Sequence, residues 1–253
     1  MKLIQLTDCH LAEPDALRKG LDSRASFRAA LADIATRHSD AALVVMTGDL
    51  SQDGEPADYD EIQDLLEAFS LPVALTVGNY DDRAAFAEVF PQHMTDGFAQ
   101  GVHDLPRGRA LVLDTYVEGR HSGELCEARL AWLEAELAAH DQPHFIFMHH
   151  NPIPTYLTTL DPIMLREPQR LTALIQRYPG RVAHIFHGHT HLPMSGALAG
   201  VPVSCPRGTA HAGFPNYGEN RLLPHADLPP SYNVIFVEED VTTVMMVEYG
   251  LNL

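Results

Sequence analysis

The chain has 253 residues, 45% hydrophobic and 20% charged, which suits one large domain with a substantial core and excludes a disordered polymer. Its 34 acidic residues against 17 basic ones leave a net charge of −17, a poor surface for a nucleic-acid polymer or an anionic membrane. Three scattered cysteines (Cys9, Cys126, Cys205) without C-x-x-C spacing, a start that lacks a signal peptide's apolar region, and no apolar run near the roughly 18 residues of a membrane span lead to the expectation of a cytoplasmic protein.

Strand-length apolar runs alternate with helical patterns. Leu3–Thr7 reads as a strand; a helix capped by Ser23 runs to about His38, with Phe27, Ala30, Leu31 and Ile34 on one face. Ala42–Thr47 is a continuous apolar strand of the kind buried on both faces. Glu55–Phe69 is helical with Ile62, Leu65, Leu66 and Phe69 as its stripe, Val73–Val77 a strand, and Arg83–Val89 a short helix that Asp81 or Asp82 can cap. Ala110–Asp114 is a strand, and Glu124–Ala139 a helix whose Trp132, Leu133 and Leu137 belong to the core. His144–Met148 and Val182–Phe186 are strands either side of a helix over Arg170–Tyr178. Beyond residue 190 helices give way to short strands at Gly196–Gly200, Val201–Cys205, Asn233–Val237 and Thr242–Val247. Gly213–Pro230, rich in Pro, Gly and Asn, is a loop and a candidate lid. An α/β first part and a β-rich end fit two sheets packed face to face with helices outside, in a single domain over residues 1–253.

The early strands share one property: each runs into polar, metal-competent residues. They are Asp8-Cys9-His10, Gly48-Asp49, Gly78-Asn79-Tyr80-Asp81, His149-His150-Asn151-Pro152 and His187-Gly188-His189-Thr190-His191. Open α/β sheets bind ligands at such C-terminal strand ends. Singly, D-x-H or Gly-Asp says little; the ordered set is informative. In an extended segment Asp8 and His10 face one ion together, as do His189 and His191, while Cys9 points away into the core. Asp49 suits a bridge between two cations, and mixed His, Asp and Asn donors suit Mn, Fe, Zn or Co better than Mg or Ca. Two such ions about 3.5–4 Å apart can hold a bridging hydroxide for in-line attack at phosphorus.

At these residues the chain resembles the calcineurin-like metallophosphoesterase superfamily, whose pattern is D-x-H, G-D, G-N-H-[DE], H and G-H-x-H on a four-layer αββα sandwich of two mixed sheets. The resemblance runs from Lys2 to about His211. Within it, Ile146–Pro152 and Arg181–His191 are most similar to class III cyclic-nucleotide phosphodiesterases and the related bacterial glycerophosphodiesterases. It implies one divalent transition-metal ion on Asp8, His10, Asp49 and His191, and a second on Asp49, Asn79, His149 and His189, with His150 outside the ligand set. Homodimers are common among such relatives.

The chain departs from the pattern at Tyr80, where the family has a histidine that contacts the phosphoryl oxygen or helps the leaving group. Tyr80 is expected to take over that contact, as a weaker proton donor than imidazolium, and His211 is the other candidate substrate contact. His187 is expected to pack behind the ligands, and Arg207 to lie solvated on the surface rather than on a phosphate. The expected activity is hydrolysis of a small phosphodiester, a cyclic nucleotide or a glycerophosphodiester, with Asp49, Asn79 and Tyr80 as the catalytic residues. A phosphomonoesterase of the same fold, or a non-catalytic metal-binding scaffold, is the alternative.

Overall fold

The computed structural model describes residues 1–13 and 22–250. In chain order the elements are β1 (Lys2–Leu6), α1 (Ser23–Arg37), β2 (Leu43–Thr47), α2 (Pro56–Glu67), β3 (Val73–Thr76), α3 (Arg83–Val89), β4 (Gly101–Leu105), β5 (Gly108–Leu113) and α4 (Glu127–Ala139). There follow β6 (His144–Met148), α5 (Pro168–Arg177), β7 (Val182–Phe186), β8 (Met194–Leu198), β9 (Val201–Cys205), β10 (Ala212–Gly213), β11 (His225–Ala226), β12 (Ser231–Val237) and β13 (Thr242–Glu248).

Two mixed sheets form the centre. The first has the order β13-β12-β1-β2-β3, the second β4-β5-β6-β7-β9-β8. Strands β1, β2 and β3 are mutually parallel, as are β5, β6, β7 and β9, while β12, β13, β4 and β8 run antiparallel to their neighbours. Between the sheets lies an apolar layer that includes Leu3, Val45, Val112, Phe145, Phe147, Phe186 and Ile235. Phe147 stacks on Phe186 with ring centroids 4.8 Å apart. The outer face of the first sheet is covered by α1–α3 through Phe27, Ile34, Ile62 and Phe86, and that of the second by α4 and α5 through Leu133, Leu137, Leu171 and Leu174. The four-layer αββα sandwich is therefore present, and the both-faces burial of β2, β5 and β6 explains their unbroken apolar runs.

The differences from the sequence reading are local. The cap of α1 is Asp22, whose carboxylate accepts from Ala25 N–H, so Ser23 is the first helical residue. Asp82 alone caps α3, accepting from Ala84 and Ala85; Asp81 is buried elsewhere. Strand β4 was not anticipated, because Gly101–Leu105 is a half-exposed edge with no clean alternation. The segment 213–230 contains three of the four residues of the β10–β11 ladder and is tied down, with Thr158 N–H bonded to Arg221 O and Tyr217 OH to Thr155 O. Leu223 packs there against a small cluster of Leu157, Leu160 and Leu192. Arg207 is not solvated: it is buried, and binds Glu248 and the Pro229 carbonyl.

Two outcomes are expected of the layer between the sheets. Phe147→Ala removes a buried, stacked ring and lowers the unfolding free energy by about 3–5 kcal/mol, read from the urea midpoint. Burial pushes the His184 imidazole, stacked on Phe186, down to about 4 from 6.5. Between those values the unfolded chain binds more protons, so this contribution to stability is present above about pH 6.5 and lost as the pH falls toward about 4. His184→Phe, which keeps a ring on Phe186, is expected to show a smaller drop in urea midpoint between about pH 7 and about pH 4.5 than the parent.

Candidate metal centre

The parallel strands of both sheets end on one rim, and the loops that leave β1, β2, β3, β6 and β7 carry the motif residues. β1 runs into Asp8 and His10, β2 into Asp49, β3 into Asn79, β6 into His149, and β7 into His189 and His191. The rim is laced by backbone hydrogen bonds: Asp8 N–H to Gly48 O, His10 N–H to Asp49 O, Gly188 N–H to His149 O and Ala210 N–H to Asp8 O. Several bonds join the two sheets, among them one from His149 Nδ1–H to the Thr47 carbonyl at 2.8 Å and one from Gln5 Nε2 to the His187 carbonyl at 2.8 Å. Gly48 lies in the left-handed region (φ 90°), and a Cβ there would sit 2.6 Å from Gly78 N, so only glycine lets these two loops meet.

The extended conformation expected of D-x-H and H-x-H is not what the chain adopts. Asp8 (φ 55°), His10 (φ 43°), Asp49 (φ 50°), His189 (φ 70°) and His191 (φ 52°) all occupy the left-handed region, at a strain of about 1–3 kcal/mol each. Asp8 and His10 still face one place, as do His189 and His191, but through sharp turns rather than strand alternation.

The donors converge in two groups. Asp8, His10, Asp49 and His191 each place a ligand atom within 4.8 Å of the others. His10 Nε2 is 3.2 Å from His191 Nε2 and 3.5 Å from Asp49 Oδ2, and His191 Nε2 is 3.4 Å from Asp8 Oδ1. In the second group His149 Nε2 is 3.3 Å from Asp49 Oδ2, 3.2 Å from Asn79 Oδ1 and 3.3 Å from His189 Nδ1. Asp49 Oδ2 thus belongs to both groups, while its Oδ1 accepts the Tyr80 N–H at 2.9 Å. All of these except Asn79 and His191 are buried.

This arrangement fits divalent metal ions. Donors about 2.1 Å from a common ion stand roughly 3.0–3.4 Å from each other, the spacing found here. His149 and His191 each give their Nδ1–H to a carbonyl, of Thr47 and His211, which turns the Nε2 lone pairs inward. Among the described residues, the buried His10 Nδ1 and His189 Nε2 have no hydrogen-bond partner. In the protein alone, burial pushes His149 down but the Asp49 carboxylate overrides it, raising it to about 9. Burial also works against ionisation of Asp49, yet His149 outweighs it and holds that carboxyl below its ordinary range. Burial and the nearby Asp49 charge raise Asp8 to about 6, and burial lowers His191 to about 3. The pocket thus demands positive charge.

Around the donors, His150 is buried with both nitrogens engaged, Nδ1 with Thr115 Oγ1 at 2.8 Å and Nε2 with the His121 carbonyl at 3.1 Å, so it is not free to ligate. His187 is buried behind the centre, its Nδ1 on the Gly188 carbonyl. Cys9 is fully buried in the core. On the open side lie Tyr80, 39% exposed with its ring edge-on to His10, and His211, stacked on His191 at 3.8 Å. Two residues escaped the sequence reading. His121 comes from the β5–α4 loop, outside any motif, and meets Asn79 Nδ2 at 3.2 Å. Asp81 lies within the motif Gly78–Asp81 but is no helix cap: its carboxylate accepts from the N–H of Leu50, Ser51 and Gly78 and from Tyr59 OH. Burial and the Asp49 charge push it up to about 7.

The calcineurin-like phosphoesterase family model matches residues 1–193. A probable cyclic nucleotide phosphodiesterase of Rhodopseudomonas palustris is 38% identical over 247 residues, covering 95% of this chain and 89% of that protein. The glycerophosphodiester phosphodiesterase GpdQ of Enterobacter lignolyticus is 37% identical over 155 residues, 58% of this chain and 55% of that one. Among solved structures, the purple acid phosphatase PPD1 of yellow lupin has the same fold over 98% of this chain, with a TM-score of 0.66 at 15% identity; the chain spans about half of it, 51%. Among the described residues no helix is long and apolar enough to cross a membrane.

Asp81 joins the Asp49 loop to the Asn79 loop, so Asp81→Asn, which replaces one acceptor oxygen by a donor, is expected to cost about 1–3 kcal/mol in urea unfolding. Titration calorimetry with Mn²⁺ is expected to show weaker binding in the same variant.

Proposed function

This chain belongs to the calcineurin-like phosphoesterase family, and we propose that it hydrolyses small phosphodiesters at a centre of two divalent metal ions. The observation that carries the proposal is the place of Asp49 Oδ2, 3.5 Å from His10 Nε2 and 3.3 Å from His149 Nε2, where one carboxylate can serve two ions. Asp8, His10, Asp49 and His191 would hold the first ion, and Asp49, Asn79, His149 and His189 the second. Mixed imidazole and oxygen donors favour Mn, Fe, Zn or Co. When bound, such ions act as Lewis acids on phosphoryl oxygens and lower the pKa of water.

The residues of the chain do the rest. The buried floor keeps bulk water from the donors. The Tyr80 N–H orients Asp49 through Oδ1, leaving Oδ2 for the ions. Burial, then the charges of Asp49 and Asp53, raise Tyr80 above the ordinary phenol value, so its hydroxyl acts as a hydrogen-bond donor to a phosphoryl oxygen and not as a proton source. Burial and the neighbouring His191 lower His211 to about 2, which leaves a neutral ring to contact substrate. The segment 213–230, bonded to Thr155 and Thr158, serves as a fixed wall of the pocket rather than a hinged lid.

The substrate class rests on the relatives, one named for cyclic nucleotides and one for glycerophosphodiesters, and on the net charge of −17, which disfavours polyanions. The presence of all seven donors in mutual reach favours an enzyme over a scaffold.

The test is to strip the protein, reload it with Mn, Co, Zn or Fe, and compare bis(p-nitrophenyl) phosphate with p-nitrophenyl phosphate, then cyclic AMP with glycerophosphocholine. Metal-dependent turnover that favours the diesters is expected; preference for the monoester would make the protein a phosphomonoesterase. Asp49→Ala is expected to bind fewer than two ions per chain and to lose nearly all turnover; a variant as active as the parent would end the two-ion reading. Tyr80→Phe is expected to lower kcat by about tenfold or more, the worth of one hydrogen bond to developing charge.

A further inference from the structure

Building on the phosphodiesterase reading above, we infer that His121 is a catalytic residue of this centre, whose Nε2–H donates a hydrogen bond to the ester oxygen that leaves phosphorus. Three sets of observations lead there. The first concerns the proton. Asn79 turns its Oδ1 toward His149 Nε2, at 3.2 Å, as a ligand of the same ion must. Its amide nitrogen then faces outward, 3.2 Å from His121 Nδ1. An amide NH₂ can only donate, so His121 Nδ1 accepts and the ring proton sits on Nε2. The residue that completes the second donor group thereby also selects the tautomer of His121 and leaves one N–H free.

The second set concerns position. His121 is an exposed side chain on a loop that the fold holds firmly. Its carbonyl accepts from the buried His150 Nε2 at 3.1 Å, and His150 is held in turn by Thr115 Oγ1 at 2.8 Å. Gly123 lies flat on the His150 ring, where a Cβ would come within 2.4 Å of Cγ and Nδ1. Glu124 N–H bonds to Thr115 O, and Arg166 N–H to Gly123 O. His150 is therefore a positioning residue: it stands beside a ligand, ligates nothing itself, and fixes the loop that carries His121.

The third set concerns the surroundings. The open side of the centre carries three groups able to donate. Tyr80 stands between His10 and His121, with ring centroids 5.0 Å and 5.6 Å away. His211 stacks on His191 and lies 5.1 Å from His10, over the first donor group. Tyr80 touches Asp49 through its backbone N–H, whereas His121 meets the second group by its side chain, through Asn79. In an in-line displacement the attacking and leaving oxygens lie on opposite sides of phosphorus, so donors beside different ends of the centre have different tasks. As the oxygen of a water molecule bonds to phosphorus, the P–O ester bond opposite it breaks and its electron pair passes to the leaving oxygen. The His121 N–H stabilises that charge, and the proton that turns the alkoxide into an alcohol comes from water.

The test exploits the leaving group. A p-nitrophenolate leaves with little help, whereas an alkoxide needs a donor. The Mn²⁺-loaded parent, His121→Ala and His121→Gln are compared on bis(p-nitrophenyl) phosphate and on cyclic AMP or glycerophosphocholine, with bound Mn²⁺ counted in each. His121→Ala is expected to lose about 10²-fold in kcat on the alkyl ester, at least tenfold more than on the aryl ester, with Mn²⁺ content equal to the parent's. His121→Gln, whose amide can accept from Asn79 and donate to the ester, is expected to recover most of that loss. Equal losses on both esters, or loss of Mn²⁺, would make His121 a structural residue and overturn the inference; so would full activity of His121→Ala on the alkyl ester. A parent that turns over neither diester overturns the phosphodiesterase reading, and this inference with it.

Discussion

The structure is organised around an electrostatic conflict: electron-pair donors are held facing one another in a buried place. His10 Nε2 and His191 Nε2 stand 3.2 Å apart, His149 Nε2 and His189 Nδ1 3.3 Å apart, and the Asp49 carboxylate lies beside both pairs. Such a set is at rest only around positive charge. In the protein alone His149 supplies part of it by holding a proton, raised to about 9 against the penalty of burial. The same donors are spaced as ligands around cations, which is why the fold reads as a container for metal.

Keeping that conflict in place requires rigidity. The left-handed conformations at Asp8, His10, Asp49, His189 and His191 are each unfavourable, and persist because their neighbours over-determine them. The inner apolar layer sets the distance between the two sheets, and His149 fastens one sheet to the other at Thr47. Asp81 gathers three backbone N–H groups from the loops that carry Asp49 and Asn79, and the Tyr59 hydroxyl from α2. A sandwich whose parallel strands all end on one rim supplies many loops to a small volume, the topological condition for a centre of this density.

Floor and rim have separate tasks. The floor is built from the residues that follow the strand ends, all buried except Asn79 and His191. The rim holds Tyr80, His121 and His211, drawn from three different loops. In the proposed reading these groups would meet the substrate, and differences in leaving group and in the shape of the ester would be read there. Residues 213–230 are tied to the 155–160 segment, and His225 stands 6.1 Å from the His211 ring.

Most strands and helices were legible because their signals are local: a period of two or 3.6, an unbroken apolar run, a capping carboxylate. Gly101–Leu105 was missed because an exposed edge strand has no buried face to impose a pattern. All seven ligand candidates could be named from the order of the motifs, since each lies next to a strand end. Their conformation could not: D-x-H suggests alternation along a strand, whereas the turns needed to aim both side chains place Asp8 and His10 in the left-handed region. Nor could Arg207 be placed, whose partner Glu248 lies 41 residues away. His121 belongs to no motif; it reaches Asn79 across 42 residues of chain because β5 lies next to β6, and His150, just beyond β6, anchors the loop. Residue types, their neighbours along the chain and the resemblance to a known motif pattern were thus enough for the fold class and for naming the candidate donors. Which donors share an ion's place, which histidine is locked away from it, and which one reaches the rim depend on contacts between residues distant in sequence, and those exist only once the two sheets have packed.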